Sequence, residues 1–364
     1  MFGTNILLPK SRLIHVAALF LRCFQRCVDA GLKLTPLQRL LSPALFRYQD
    51  ILMSARSWSN SGQMLELVAL HAMSHISKLV FDACRFIYIC RTRSLIMKNN
   101  VNIAKAVDSE ENPPECRDQG YTRPKVLVLL PYKNTAYTFI HALYTASSCK
   151  SFEGKSRFET EFAPDEELEA EKRKANKPED HQHAFAGNTD DHFRIGLKFT
   201  ASSIMKAYAE FYGSDVIIAS PLGLRTLIGA KEDKKRDYDY LSSIELLIID
   251  RCETFLMQNW EHLEHTLEHV NLLPTTTRKD TDYSRIKNWY LDGRAAEKRQ
   301  TVIISEYMTP EIHSLISRFT KSPDILLHIA RASYVGSIAM LSVQTVHVCF
   351  RSYLVIYFIE SVAI

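Results

Sequence analysis

Four short, unbroken apolar runs mark the middle of the chain, at residues 125–130, 215–219, 244–249 and 301–304. Each run is rich in Val, Ile or Leu and lacks the alternation of apolar and polar residues that a half-exposed strand shows. Runs of this length are typical of strands covered on both faces, and such strands belong to parallel sheets. The pattern therefore predicts four buried, parallel strands.

Apolar residues at helical spacing accompany each run and predict helices over residues 135–146, 204–211, 255–272 and 310–319. Because strand and helix alternate four times, the sequence predicts an α/β fold with one doubly wound parallel sheet. We place this lobe at residues 120–323.

Two polar segments interrupt the predicted lobe. Residues 164–180 contain eleven charged residues out of seventeen, and residues 275–299 form a second polar stretch. A segment with so few apolar side chains cannot bury enough surface to offset the entropy of ordering it. We therefore interpret 164–180 as a charged insertion, and 275–299 as a surface loop or short helix.

The segments that flank the predicted lobe differ from it in composition. Residues 34–119 carry apolar residues at helical spacing and are interpreted as a helical N-terminal extension, preceded by a basic and apolar leader at 1–33. Residues 324–364 contain only four charged residues and are interpreted as a discordant apolar tail. Within this tail, 332–350 has the length of a membrane span, but its polar side chains disfavour insertion, so we expect no membrane partner.

Charge and cysteine content narrow the range of partners. The net charge is only +4, and the first 60 residues hold eight Lys or Arg against two Asp or Glu. The whole chain is therefore no polycation, and any nucleic acid must be bound by a local patch. The eight cysteines are widely spaced with no Cys-x-x-Cys pair, which excludes a dense disulfide scaffold and indicates a reducing compartment.

Ligands of open parallel sheets bind beyond the carboxyl ends of the strands. The four predicted strands are followed by Pro131-Tyr-Lys, Ser220-Pro-Leu-Gly-Leu-Arg, Asp250-Arg-Cys-Glu and Ser305-Glu-Tyr. Cations and close backbone amides at these positions suit phosphate groups, although the alternative is that Pro and Gly only turn the chain and the cations are solvated. The candidate RNA-binding residues are Lys133, Ser220, Pro221, Gly223 and Arg225.

Taken together, these strand ends resemble the first RecA-like lobe of DEAD-box RNA helicases. Residues 186–196, 219–225 and 255–262 further resemble the digestive organ expansion factor family, the nucleolar, U3-associated helicase-like proteins of the small-subunit processome. The resemblance implies a degenerate helicase fold without catalysis or cofactor, located in the nucleus and nucleolus, and it covers a single RecA-like lobe of this chain. Its implied partners are pre-ribosomal RNA, U3 small nucleolar RNA and processome proteins. Because the resemblance fades after residue 323, the chain is interpreted as truncated after the first lobe.

Hydrolysis of ATP requires a Gly-rich loop with Lys and Ser or Thr, plus an acidic pair at the third strand end. Asp250, Arg251 and Glu253 are interpreted as a remnant of that acidic motif, with a cation in place of the acid that orients water. The triplet Gly154-Lys-Ser lacks a buried strand before it and is interpreted as a decoy. We expect no catalytic residue and no metal ligand, and keep an active RNA-dependent ATPase as the alternative.

A more remote alternative is a zinc peptidase. His265, Glu268 and His269 match the His-x-x-Glu-His spacing that places two imidazoles on one metal. Such short patterns also arise by chance, and an amphipathic helix with Leu263 and Leu267 inward explains the same residues. The amphipathic helix is the preferred interpretation.

Overall fold

A computed structural model describes residues 35–82, 85–90, 99–106, 115–147, 149–164, 181–182, 185–200, 202–230, 233, 236–276, 281–321 and 326–330, with the backbone alone at 77–82 and 85–90. The strands are β1 Ile51–Ser54, β2 Ser77–Asp82, β3 Arg85–Cys90, β4 Val126–Leu129, β5 Ser151–Glu153, β6 Arg194–Phe199, β7 Ile204–Lys206, β8 Val216–Ala219, β9 Leu246–Ile249, β10 Gln300–Ile304 and β11 Leu327–Ala330. The helices are α1 Pro36–Phe46, α2 Ser61–Ile76, α3 Lys133–Ser147, α4 Lys155–Phe162, α5 Pro221–Ile228, α6 Thr254–Met257, α7 Trp260–Glu268, α8 Asn288–Leu291 and α9 Pro310–Phe319.

Nine of the described strands form one sheet in the order β11-β1-β10-β9-β4-β8-β6-β7-β5. Strand β6 runs antiparallel to β8 and β7, and the other neighbouring pairs are parallel. The four strands predicted from apolar runs are β4, β8, β9 and β10, which lie side by side. The predicted α/β fold with a mostly parallel sheet is confirmed.

Helices cover both faces of this sheet. Val126 and Val128 of β4 belong to the apolar core shared with α1, α2 and α3, whereas Leu127 and Leu129 belong to the core shared with α5, α7 and α9. Successive side chains of a strand point to opposite faces, so a strand covered twice needs apolar residues at every position. This explains the unbroken apolar runs in the sequence.

The prediction that residues 34–119 form a helical extension is correct for α1 and α2 and wrong for β1. Strand β1 pairs in parallel with β10 on one side and with β11 on the other. The hairpin of β2 and β3 also interrupts the predicted helical region. The short apolar run of β1 lies between segments with helical spacing, and such a run cannot be distinguished from a piece of buried helix by periodicity alone.

The predicted helices over 135–146 and 310–319 are confirmed as α3 and α9, but the other two predictions need correction. Residues 204–211 hold strand β7 instead of a helix, because this segment pairs with β6 on one side and with β5 on the other. The helix predicted over 255–272 is divided into α6 and α7, since Asn259 caps the start of α7 with its side chain.

The polar segment 275–299 was predicted to lie at the surface. In the structure, side chains of this segment are anchored to the sheet. It contains the short helix α8, and Tyr290 is 2% exposed with its hydroxyl donating to Glu245 Oε1 at 2.8 Å. Lys287 Nζ lies 3.3 Å from the same carboxylate oxygen. The predicted short helix is therefore present, but buried polar groups that satisfy each other anchor it where a surface position was predicted.

The proposed division at residues 119/120 and 323/324 stays a prediction, and the sheet itself includes β1 before the first boundary and β11 after the second. The leader 1–33, nearly all of the charged insertion 164–180 and residues 331–364 lie outside the described residues, as does the candidate span 332–350. Within the described part of the chain, the helices are all too short or too polar to cross a bilayer.

Candidate functional site

The carboxyl ends of five neighbouring strands, β1, β10, β9, β4 and β8, meet at one edge of the sheet. The turns after β1, β9 and β10, at residues 55–60, 250–253 and 305–307, form what we call the pocket side. Residues 131–134, 186–193 and 220–225, around the ends of β4 and β8, form the rim side. The sheet topology thus brings together all the strand ends selected from the sequence.

The pocket side is built around a buried ion pair. Arg56 Nε donates to Asp250 Oδ1 at 3.0 Å, and the two side chains are 7% and 9% exposed. The backbone N–H of Arg56 donates to the carbonyl oxygen of Ser305 at 3.1 Å, which fixes the turn after β1 against β10. Sequence periodicity did not select Arg56, because β1 was not recognised as a strand.

The turn between β1 and α2 has the strand-turn-helix geometry of a phosphate-binding loop, but not its chemistry. Its residues 55–60 contain neither Gly nor Lys. Asn60 closes the turn on itself, since Oδ1 accepts from the N–H of Ser57 at 2.9 Å and Nδ2 donates to the carbonyl of Ala55 at 2.9 Å. The backbone N–H of Ser57, which could face a phosphate in such a loop, is therefore already bonded to Asn60.

Arg251 and Glu253 also interact with other residues of the pocket side. Burial, together with the nearby charge of Arg56, lowers the pKa of the Arg251 guanidinium, and its backbone has φ +54°, in the left-handed region. Glu253 Oε2 accepts from Ser305 Oγ at 2.9 Å and from the N–H of Glu306 at 3.0 Å. Burial raises the pKa of Glu253 despite these bonds. The acidic remnant therefore joins β9 to the turn after β10.

On the rim side, Lys133 begins helix α3 and is covered by a segment from later in the chain. Its Nζ lies 2.7 Å from Asp190 Oδ2, and its N–H donates to the Asp190 carbonyl at 2.9 Å. The N–H of Asn134 donates to the Asn188 carbonyl at 2.9 Å. Gly187 has φ +73°, and a Cβ there would lie 2.9 Å from Asn134 Cβ, so this close approach requires Gly.

The predicted residues Ser220, Pro221 and Gly223 are buried and shape the start of α5. Ser220 Oγ accepts from the N–H of Gly223 at 2.9 Å, and Pro221 occupies the first helical turn. A Cβ on Gly223 would lie 2.2 Å from the Phe193 carbonyl oxygen, so Gly lets α5 pack against the residue before β6. Contact of these three residues with RNA stays a prediction.

Arg225 points its charge toward the neighbouring helix α7. Its Nη2 lies 3.0 Å from Glu261 Oε1, and the two side chains are 27% and 70% exposed. Arg225 and Lys133 are thus the two cations among the predicted RNA-binding residues, and both pair with partly exposed carboxylates. Ion pairs of this kind are screened by solvent and exchange readily for other anions.

The geometry of α7 argues against the zinc-peptidase alternative. His269 Nδ1 donates to the His265 carbonyl at 2.7 Å, and its Nε2 accepts from Arg236 Nη2 at 2.7 Å. Both ring nitrogens are therefore engaged within the protein. Leu263 and Leu267 are buried as the amphipathic interpretation predicts. Across the described residues, no group of three His, Cys, Asp or Glu is placed to hold a metal ion.

The triplet Gly154-Lys-Ser lies at the turn between β5 and α4. Strand β5 is partly exposed and stands at the opposite end of the sheet order from β1 and β10. Its location, remote in the sheet order from Asp250, supports the interpretation of this triplet as a decoy.

Residues 48–323 match the family model described as UTP25, NTP hydrolase-like domain. The chain is 43% identical over 302 residues to U3 small nucleolar RNA-associated protein 25 of Schizosaccharomyces pombe, an alignment that covers 81% of this chain and 42% of the relative. The protein of the same name from Neurospora crassa is 39% identical over 309 residues, with 85% and 38% covered. The chain thus spans about two fifths of the length of these curated relatives.

Among solved structures, the yeast DEAD-box splicing factor Prp28 is similar with a TM-score of 0.41 and 14% identity, covering 86% of this chain and 50% of that one. A hypothetical ATP-dependent RNA helicase from Sulfolobus tokodaii has a TM-score of 0.38 and 12% identity, with 84% and 55% covered. At this level of similarity the solved structures say nothing about activity. The family model and the curated relatives confirm the family resemblance noted from the sequence.

Proposed function

Because this chain belongs to the UTP25 family, we propose that it is a non-catalytic, helicase-like component of the small-subunit processome. In this role it binds pre-ribosomal RNA and the U3 ribonucleoprotein in the nucleolus, during early processing of 18S ribosomal RNA. The relatives are named for association with U3 small nucleolar RNA, and they are longer than this chain. Their assembly role is therefore carried over as part of the proposal.

The buried pair of Arg56 and Asp250 supports the absence of catalysis. ATP hydrolysis at this edge needs a carboxylate free to hold magnesium and a loop free to hold phosphates. Asp250 Oδ1 instead accepts from Arg56 Nε at 3.0 Å and from the N–H of Arg251 at 2.9 Å. Magnesium at Asp250 would compete with the buried Arg56 guanidinium for the same carboxylate, which is unfavourable.

RNA binding is assigned to the rim side, where no turnover is required. Lys133 and Arg225 carry charges that neutralise backbone phosphates, and such contacts position RNA without selecting its sequence. Arg251 is a weaker candidate, because burial lowers its pKa and its charge faces Asp250 and Glu253.

The proposal is tested by measuring ATP turnover and RNA binding on the same preparation of the full chain. We expect RNA binding without RNA-stimulated ATP hydrolysis above the level of an Asp250→Ala variant. Turnover that disappears in Asp250→Ala would establish the alternative, an active RNA-dependent ATPase. Crosslinking to U3 RNA and pre-ribosomal RNA, compared with a Lys133→Gln, Arg225→Gln double variant, tests the rim side separately.

A further inference from the structure

Helices α5 and α7 pack side by side and bring three basic side chains together. Thr266 Oγ1 of α7 donates to the Pro221 carbonyl of α5 at 3.5 Å, and Arg225 pairs with Glu261 one turn earlier. His262 and His265 are three residues apart, so they share the face of α7 on which Arg225 lies. This arrangement, which we call the basic cluster, consists of Arg225, His262 and His265.

Each member of the basic cluster holds a buried nitrogen that bonds nothing in the described part of the chain. These atoms are Arg225 Nη1, His262 Nδ1 and His265 Nδ1. Buried polar atoms in native proteins nearly always have a partner, so three neighbouring exceptions require an explanation. By contrast, His269 on the next turn uses both of its ring nitrogens.

The charges around the basic cluster also favour binding of an anion. Burial, followed by the charges of His269, Arg225 and Arg236, lowers the pKa of His265 to about 4. Burial and Arg225 lower the pKa of His262. The same positive potential that resists protonation of these rings attracts a negatively charged group. Arg225 repels a metal cation, so an oxyanion fits better than zinc.

We propose that Arg225, His262 and His265 form a binding site for a backbone phosphate of single-stranded RNA. The inference rests on the proposed function and specifies where on the rim side the RNA backbone is held. A phosphate offers several acceptor oxygens, which match the guanidinium fork and two imidazole donors after small side-chain rotations. Lys133 is covered by residues 186–190, whereas Arg225 of the basic cluster pairs with the exposed carboxylate of Glu261.

We favour RNA over a phosphorylated protein as the ligand. The basic cluster adjoins the rim side, and the rim side is where we propose that RNA binds. Regularly spaced phosphates also allow one strand to contact Arg225 and a second rim cation together. A phosphorylated peptide would need one modified residue placed at this point alone. The two ligands are separated by the experiment below.

The test measures binding of a fluorescent single-stranded oligouridylate to the full chain by anisotropy at several salt concentrations. We expect Arg225→Gln and the His262→Gln, His265→Gln double variant each to weaken binding by about tenfold, as for loss of a charge-assisted hydrogen bond. The salt slope should fall by about one for Arg225→Gln, because one phosphate contact is lost. His313→Gln, an exposed histidine on α9, is the matched control and should bind as the wild type does.

A second variant tests the same site by a gain of affinity. Glu261→Gln removes the carboxylate that competes for Arg225 and lies on an exposed position, so it should fold normally. We expect about threefold tighter RNA binding, in the range of an exposed ion pair. Unchanged affinity in both Arg225→Gln and Glu261→Gln, with a wild type that binds RNA, would overturn the site and leave the proposed function standing.

Imidazole ¹H–¹⁵N NMR of the wild-type chain identifies the ligand directly and needs no variant to fold. We expect the His262 and His265 signals to shift on addition of the oligouridylate while His313 stays unchanged. Shifts with inorganic phosphate or a phosphoserine peptide but none with RNA would overturn RNA as the ligand. A wild-type chain that binds no RNA at all would contradict the proposed function itself, which keeps the two failures distinct.

Discussion

The pocket side and the rim side share one sheet edge and similar residue types, yet their ion pairs differ in exposure to solvent. On the pocket side, Arg56 and Asp250 neutralise each other at 7% and 9% exposure. On the rim side, Lys133 and Arg225 pair with carboxylates that are 46% and 70% exposed. A buried pair is separated only at a large cost, whereas an exposed pair can be replaced by another anion. Burial therefore distinguishes an ion pair held inside the protein from two pairs whose carboxylates are partly exposed to solvent.

Backbone conformation differs between the two sides as well. Arg251 on the pocket side holds φ +54° without being Gly, and Gly187 on the rim side holds φ +73°. The strain at Arg251 persists because its N–H donates to Asp250 Oδ1 at 2.9 Å and the next N–H, of Cys252, donates to the Ile304 carbonyl at 3.0 Å. The left-handed turn after β9 is thus maintained by hydrogen bonds to Asp250 and to β10.

The largest expected effect comes from breaking the buried pair. Arg56→Ala leaves the buried Asp250 carboxylate without its hydrogen-bonded guanidinium, so the free energy of unfolding should fall by about 3–5 kcal/mol in urea titrations. The double variant Arg56→Met, Asp250→Leu should recover most of this loss, because neither member of the pair is then left buried without the other.

Arg294→Ala is the matched control for this experiment. Arg294 pairs with Glu297 on the surface, and we expect no measurable change in unfolding. A loss in Arg56→Ala as small as that of the control would show that solvent screens the pocket-side pair, and the contrast between the two sides would disappear.

An intermediate effect is expected from Gly223→Ala on the rim side. The added Cβ would lie 2.2 Å from the Phe193 carbonyl, so α5 must shift, and the free energy of unfolding should fall by about 1–3 kcal/mol. Gly213→Ala is the control, since a Cβ there meets no described atom within 4 Å. RNA binding should weaken in Gly223→Ala alone, because the shift displaces Arg225. Equal stability of the two variants would contradict the packing role of Gly223.

The smallest expected effects are pH dependences of opposite sign on the two sides. Burial raises the pKa of Glu253 above 4.5, so its contribution to stability is present below that value and is lost as pH rises through the raised pKa. Burial alone would raise the pKa of Asp190, but hydrogen bonds from Lys133 and the His192 N–H lower it below 3.8. Its contribution is present above 3.8 and is lost as pH falls through the lowered pKa.

Urea unfolding of Glu253→Gln and Asp190→Asn at about pH 7 and about pH 3 tests these signs. Glu253→Gln should be more stable than the wild type at neutral pH, and Asp190→Asn should be less stable by about 1 kcal/mol or less. Both differences should shrink in acid. Differences of the same sign at neutral pH would mean that burial does not separate the two sides.

The pattern of apolar residues along the sequence was sufficient to predict much of the fold. The apolar runs predicted β4, β8, β9 and β10, because a strand covered on both faces must be apolar at successive positions. Pattern also placed α3 and α9, whose apolar residues recur at helical spacing. It failed at β1 and β7, because each short apolar run lies among apolar residues at helical spacing and fits a buried helix as well as a strand.

The amino-acid sequence by itself determined the class of fold, the family and the strand ends where chemistry was to be sought. Only the tertiary structure decided that Arg56 lies against Asp250, 194 positions later in the chain, and that His262, His265 and Arg225 meet between two helices. Periodicity reports whether a residue is buried, which depends on its own segment. The partner of a buried charge depends on which strands become neighbours, and that is set by packing of the whole sheet.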